Sequence, residues 1–348
     1  MKVTIADVAK KAGVSKSTVS RIINGNYEQN SKKTIESVLA VIKELDFRPN
    51  ALAKGLKSNK TNVIGIVLSN LQNPFWANVL EGVEDTCRSN NFNLMICNSN
   101  EDPKLEEEHI RAFRMKQVDG IIINATLGNK DMYKEFVNEG FPFVTINRRI
   151  PELAIDSVIM DNVKGTKLAV EHLIQSGKKD IAFFVYPLKD ISPRIERLEG
   201  YKEALLDNFI DVDKNLIRIV SEHKEAVKEE VRKLLNDRNV DAIFSTNNMM
   251  TLYILEELKE LGLKVPEDIS LIGYDETVWS MHLNPPLTTV YQPSYAMGES
   301  AANKLIELIN AKAGEKPEPE IISLEPSLII RESCGTKKGS GFIEQSRI

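Results

Sequence analysis

The chain is 348 residues long, 42% apolar and 27% charged, with a net charge of −5. Such a length exceeds one compact core, and such a composition excludes a fibrous or disordered chain. No apolar run approaches the roughly 20 residues that span a bilayer, the N-terminus lacks the apolar stretch of a secretory signal, and the scattered Cys87, Cys97 and Cys334 suit reduced thiols in a cytoplasm.

The charge is unevenly placed. Residues 1–60 carry twelve Lys or Arg and five Asp or Glu, a local charge of +7, which leaves −12 on the remainder. A basic end on an acidic body suits phosphate contact through that end alone, although chance clustering on a solvated face would give the same count. Within it, Ile5, Val8, Ala9 and Ala12 fall on one face of a short helix, with Thr4 placed to cap it. Gly13 ends that helix, Ser15 caps a second from about Lys16 to Asn24, and Val19, Ile22 and Ile23 form its inward stripe. Two short helices joined by a glycine turn make a helix-turn-helix. Lys16, Ser17, Ser20 and Arg21 point away from the stripe. Lys and Arg can donate to guanine and Ser serves either base type, so Lys16, Ser17 and Arg21 are the base-reading candidates. Thr4, Ser15, Thr18, Ser20, Asn24 and Ser31 are placed for phosphate. Ser31 caps a third helix with a buried stripe of Ile35, Val38, Leu39, Ile42 and Leu45. A three-helix scaffold with a merely wet polar face is the alternative.

Thr4-Ile5-Ala6-Asp7-Val8-Ala9, Ala12-Gly13-Val14-Ser15, Thr18-Val19-Ser20-Arg21 and Pro49-Asn50-Ala51-Leu52-Ala53 together resemble the LacI/GalR family of bacterial repressors, and the likeness continues to about Glu332. The resemblance implies a lambda-repressor-like three-helix headpiece over 1–48 and a homodimer on pseudo-palindromic operator DNA. It also puts Lys16, Ser17 and Arg21 at the base-contacting positions.

Residues 49–60 read as a hinge. Pro49 stops the third helix, Asn50 can open a new one, and Ala51 to Leu56 span barely two turns, too few to be stable alone. The resemblance implies a helix that folds on the operator, with Leu56 wedged into a minor-groove step and Asn50, Ala53 and Lys57 along the backbone. Gly55 stands where a serine is frequent and lowers helicity by about 1 kcal/mol relative to alanine. A plain interdomain linker is the alternative.

From Val63 onward, β-branched runs alternate with helical patterns. Strands are predicted at Val63–Ser69, Asn93–Cys97, Gly120–Asn124, Phe143–Asn147, Ile181–Tyr186, Ile217–Val220, Ala242–Thr246 and Ser270–Tyr274. Helices are predicted at about Pro74–Asn90, Glu106–Lys116, Gly165–Ser176, Arg197–Asp207 and Met250–Leu261. This is the α/β grammar of parallel sheets covered on both faces. An effector-binding and dimerisation domain of 61–333 is expected, with an N-subdomain of about 62–160 and 291–320 and a C-subdomain of about 161–290 and 321–333, both Rossmann-like. Enzymes share this grammar. However, GxGxxG after the first strand, GxxxxGK[ST] and GxSxG are all absent, so no catalytic residue is assigned. His109, His172, His223 and His282 lack metal-ligand spacing, and no metal or cofactor is expected.

The large domain resembles type I periplasmic sugar-binding proteins, in which ligand lies between subdomains at the carboxyl ends of the strands. Those ends supply Asn70, Phe75 and Trp76, then Asn124, Asn147 with Arg148 and Arg149, Arg194 with Arg197, Asn247 with Asn248, and Asp275. Phe75 or Trp76 can lie against a carbon chain, while Asn247 and Asp275 can share hydroxyl hydrogen bonds. Arg197, in Arg197-Leu198-Glu199-Gly200-Tyr201, matches the family's effector-contacting arginine and can hold a carboxylate, phosphate or diol. Arg149 and Arg194 read more readily as solvated charges, while a turn role for Asn70 and a core role for Trp76 are the alternatives. Asn248 departs from a usual Asp and Tyr253 from a usual glycine. Asn147 replaces an acid frequent in neutral-sugar members, which leaves Arg148 and Arg197 less neutralised and points to an anionic ligand.

Through the headpiece and Val67-Leu68-Ser69-Asn70, the likeness is greatest to repressors of hexuronate and pectin breakdown that sense 2-keto-3-deoxygluconate. A repressor of a carbohydrate catabolic operon, released by a sugar acid, is the leading expectation. The tail 334–348 reads as flexible and lacks the leucine heptads of a tetramerisation helix, so dimers are expected. Rival readings are a regulator of neutral-sugar or sugar-phosphate response, a corepressor-dependent regulator, and a solute-binding protein, which would not need residues 1–57.

Overall fold

The structure, a computed structural model, describes residues 3–47, 60–151, 153–311 and 318–336. The chain divides into a small unit, 1–61, and a large one, 62–348. The expected hinge residues Asn50, Ala53, Leu56 and Lys57 lie outside the described residues, as do residues 337–348 of the expected tail.

In the small unit, α1 (Ile5–Ala12), α2 (Lys16–Ile23) and α3 (Lys32–Glu44) each begin at a hydroxyl residue. Thr4 and Asp7 form a capping box: the Thr4 N–H donates to Asp7 Oδ2 at 2.9 Å and the Asp7 N–H returns to Thr4 Oγ1. Gly13 takes φ +67°, open to a residue without Cβ, and its N–H reaches the Ala9 carbonyl, which turns the chain between α1 and α2. Val8, Ala9, Val19, Ile22 and Val38 form the centre, with Ile5, Ala12, Ile23, Ile35, Val41, Ile42 and Leu45 packed around it. Leu39 is a correction. It is 44% exposed, because so small a core covers only the face of α3 that carries positions 35, 38, 41, 42 and 45.

The large unit holds two six-stranded sheets. β1 (Val63–Leu68), β2 (Asn93–Asn98), β3 (Gly120–Ile123), β4 (Phe143–Ile146), β5 (Ser157–Met160) and β11 (Ile321–Leu324) form the first, in the order β11-β5-β4-β3-β1-β2, all parallel. β6 (Ile181–Val185), β7 (Ile217–Ile219), β8 (Ala242–Ser245), β9 (Ser270–Tyr274), β10 (Thr288–Tyr291) and β12 (Ser327–Ile329) form the second, in the order β12-β10-β9-β8-β6-β7, with only β12 antiparallel. The first sheet is served by α4 (Phe75–Ser89), α5 (Pro103–Met115), α6 (Lys130–Glu139) and α11 (Ser294–Asn310). The second is served by α7 (Asn162–Gln175), α8 (Ser192–Asp207), α9 (Lys224–Asp237) and α10 (Asn248–Glu260). Fully buried runs such as Ile64, Ile66, Val67 and Leu68 explain why these strands lack alternation: helices cover both faces.

The chain passes between the sheets after β5, after β10 and after β11. β11 therefore belongs to the N-subdomain, and the last passage falls between Leu324 and Ser327 rather than at residue 321. Residue 334, the expected start of the tail, belongs to the folded unit. Cys334 is fully buried in a 3-10 turn, Glu332–Cys334, and the Ser270 hydroxyl donates to its carbonyl at 3.1 Å.

Candidate nucleic-acid interface and effector cleft

The first turn of α2 carries Lys16 and Ser17, both exposed. Ser15 caps it, accepting the Thr18 N–H at 3.1 Å and sharing hydroxyl bonds with Ser17 at 2.7 Å and Thr18 at 2.9 Å. Free N–H groups and the dipole at such a helix start favour phosphate. Arg21, half-buried, donates to the side chain of Gln29 beyond the helix, which holds the guanidinium before any DNA arrives. Sequence reasoning missed Gln29. Asn24 Nδ2 donates to the Ser20 carbonyl at 2.8 Å, and Ser31 accepts the Thr34 N–H at 3.2 Å. Thr4, Ser15, Asn24 and Ser31 thus serve their own helix ends, and the exposed cation of α2 is Lys16.

In the large unit, a cavity of about 150 Å³ opens where the carboxyl ends of the two sheets meet. Asn70, Phe75, Trp76, Asn147, Arg148, Arg197, Asn247 and Asp275 line it. So does Arg194, named at the strand ends but read as solvated, and so do Glu101, Tyr186, Glu222, Tyr253 and Gln292, which were not assigned to it beforehand. Phe75 and Trp76 meet edge to face with centroids 5.0 Å apart, and both also belong to the core. Asn124 is a correction. It is fully buried and does not line the cavity; its Nδ2 donates to the Ile146 carbonyl at 2.9 Å, tying the ends of β3 and β4. Asn247 is partly spent, since its Oδ1 caps α10 through the Met249 and Met250 N–H groups.

Charge governs the site. Arg148 is buried, and Glu101 receives its fork, one arm at 2.9 Å. Burial raises the Glu101 carboxyl, but hydrogen bonds and charge from Arg148 outweigh it and hold the pKa below its usual value. Arg148 is therefore neutralised after all, by an acid from the end of β2 rather than from position 147. Arg194 is not a solvated charge either. It lies over the Tyr186 ring at 5.7 Å, donates to the Pro187 carbonyl at 2.6 Å and pairs with Glu222 at 2.6 Å. Burial lowers its pKa.

Arg197 differs. It is 8% exposed, donates through Nε to Asn162 Oδ1 at 3.0 Å and through Nη1 to the Thr246 carbonyl at 2.6 Å, and forms no salt bridge among the described residues. Asp275 is buried, accepts from Gln292, and has its pKa raised by burial against the opposing charge of Arg197. Two acceptors on the lining, Asn147 Oδ1 and Gln292 Oε1, are buried without a partner among the described residues. A ligand that brings hydroxyl hydrogens would satisfy them.

Residues 4–50 match the model described as bacterial regulatory proteins of the lacI family, and residues 61–330 match that of periplasmic binding proteins and the sugar-binding domain of the LacI family. The chain belongs to the LacI family. It is 36% identical over 332 residues to the HTH-type transcriptional regulator KdgR of Bacillus subtilis (strain 168), covering 95% of this chain and 97% of that protein. Among solved structures, it is similar to the lac repressor dimer bound to operator and the anti-inducer ONPF, with TM-score 0.84, 27% identity, and coverage of 96% and 99%. It is also similar to a complex of the transcriptional regulator CelR with cellobiose, with TM-score 0.71, 32% identity, and coverage of 95% and 99%.

This LacI-family chain is thus a DNA-binding transcriptional regulator with an effector domain, not an enzyme. No described helix is long and apolar enough to cross a membrane, and the described residues hold no metal-ligand cluster. Most cleft residues that sequence reasoning missed follow the rule that found the others. Glu101 lies just past β2 and Glu222 just past β7, and both were passed over because acids in polar loops read as solvated. Gln292 follows β10, a strand the sequence pattern does not announce.

Proposed function

We propose that this regulator is a cytoplasmic homodimeric repressor of a carbohydrate catabolic operon. It binds a pseudo-palindromic operator through Lys16, Ser17 and Arg21 and is released when a sugar acid of the 2-keto-3-deoxygluconate type enters the cleft. The observation that carries the ligand class is Arg197: a buried guanidinium that forms no salt bridge among the described residues, with only the charge of the buried Asp275 acting on it, gains from a ligand that supplies a carboxylate. Asn147, Gln292 and Asp275 then take the hydroxyls, and Phe75 and Trp76 the carbon chain. Release follows if the acid binds the closed cleft more tightly than the open one, since differential affinity is all a ligand can contribute.

A second reading, a neutral sugar, rests on the pairing of Arg148 with Glu101 and of Arg194 with Glu222, which leaves two of the three cleft arginines already balanced. Titration calorimetry separates the two. With 2-keto-3-deoxygluconate, gluconate, glucose and cellobiose in turn, tighter binding of the acids supports the first reading. Binding of neutral sugars alone overturns it.

A further inference from the structure

Two residues outside the cavity join its arginine to the opposite subdomain. Arg149, three residues past β4, reaches across the cleft to α8: its Nη2 lies 2.5 Å from Glu196 Oε1, and its N–H donates to Ser192 Oγ at 3.2 Å. The other oxygen of Glu196 accepts from Asn162 Nδ2 at 2.9 Å. Asn162 opens α7 immediately after the first passage between the sheets, and its Nδ2 also reaches the Met160 carbonyl at 3.1 Å. Its Oδ1 accepts from Arg197 Nε at 3.0 Å and from the Tyr274 hydroxyl at 3.3 Å.

The Asn162 amide has only one workable orientation. Its nitrogen faces a carboxylate, which only accepts, and its oxygen faces a guanidinium, which only donates, so a flip would lose both bonds. A displacement of Arg197 therefore passes through Asn162 to Glu196, and from there to Arg149 in the other subdomain. The two ends of this chain are differently built. Glu196 is 13% exposed, whereas Arg149 is 44% exposed. An ion pair open to water on its arginine side is weaker than a fully buried one, which suits a contact that must form and break during function. A second bridge, from Asn248 Nδ2 to Asn73 Oδ1 at 2.7 Å, spans the same cleft without involving Glu196, and both asparagines also bond to Asp275.

We infer that Glu196 is the positioning residue that couples the effector arginine to closure of the cleft, with Arg149 as its clasp on the N-subdomain. This rests on the reading that Arg197 holds the effector. The test needs no ligand at first. Spin labels on unnatural residues at the exposed positions Asp131 and Lys259, one per subdomain, report the cleft by pulsed electron resonance in the full chain diluted with unlabelled protein.

Arg149→Ala should shift the distance distribution toward the open form, changing the open-to-closed ratio by roughly two- to five-fold. Glu196→Ala should do the same, and the double variant should add nothing to either single change. The control Asn73→Ala should add its effect to that of Arg149→Ala. A distribution unmoved by Arg149→Ala, or additive effects of Arg149→Ala and Glu196→Ala, overturns the coupling.

The acid is then added. Glu196→Gln, which can still accept from Asn162, should bind 2-keto-3-deoxygluconate more tightly than Glu196→Ala. Equal affinities of the two variants for an acid that the wild type binds overturn the relay to Arg197. If the wild type does not bind the acid at all, the ligand assignment falls, while the distance measurements judge the clasp separately.

Discussion

The Arg197 guanidinium lies over the ring of Tyr274, its central carbon 3.7 Å from the centroid. Both side chains are buried, and a desolvated cation over an aromatic face is worth on the order of 2 kcal/mol. The stack fixes the plane of the fork, so direction as well as charge is presented to the cleft. Arg197→Lys keeps the charge and loses the plane. It should weaken binding of the acid by about ten-fold or more, while operator affinity without ligand stays at the wild-type level. Calorimetry and anisotropy on the same preparation check both halves.

Asp275→Asn should stabilise the ligand-free protein. Burial raises the Asp275 pKa above its usual carboxylate value of 3.8, so its contribution to stability is greatest in acid and is lost as pH rises through the folded value. At neutral pH the buried carboxylate is the costlier form, and asparagine removes that cost. Scanning calorimetry at pH 5 and pH 8 should show a higher melting temperature for Asp275→Asn, with the larger gain at pH 8. The same variant should lose its response to ligand. A lower melting temperature at pH 8 would mean that Arg197 and the hydrogen bonds to the carboxylate outweigh the cost of its burial.

Arg21→Ala should weaken operator binding by roughly ten- to one-hundred-fold and flatten discrimination at one base position. Gln29→Ala leaves the cation but frees it from the bond that holds it, and should cost only a few-fold. Equal losses in the two variants would place Gln29 itself on the DNA. Competition binding against single-base operator variants distinguishes these outcomes.

Cys334 gives a pH dependence remote from the cleft. Burial raises its pKa, but hydrogen bonds from His172, Thr288 and Thr336 outweigh that and bring it to about 7. A folded value below the unfolded one adds stability above the unfolded pKa, lost as pH falls through the folded value. Between pH 7 and pH 9, the wild type should gain stability relative to Cys334→Ala as pH rises. Parallel thermal melts across that range would remove the thiolate from the account.

The headpiece was legible because its signals are local. Cap, stripe and turn glycine each act within a few residues, and Thr4, Gly13, Ser15 and Ser31 do what their spacing announces. Leu39 misled because helical periodicity does not say how wide a face so small a core will cover. Strands buried on both faces, such as β1 and β3, stood out as apolar runs. β5, α6, α9, β10, β11 and β12 were harder, being short or, as in α9, dense in charge. The cleft was half legible. Strand ends could be found from sequence, but pairing could not: that Glu101 neutralises Arg148, and that Arg149 spans the cleft to Glu196, depends on which loops the two sheets bring together.

The most direct test of cleft control over the headpiece is operator affinity of the intact protein. A duplex selected by the protein from a random pool serves as probe, read by fluorescence anisotropy at one fixed salt concentration with and without 2-keto-3-deoxygluconate. Release by the acid should weaken binding at least ten-fold, about 1.4 kcal/mol of coupling, and Arg197→Ala should abolish that difference. Operator affinity that stays the same under saturating acid and under neutral sugars alike would leave the cleft with no say over DNA.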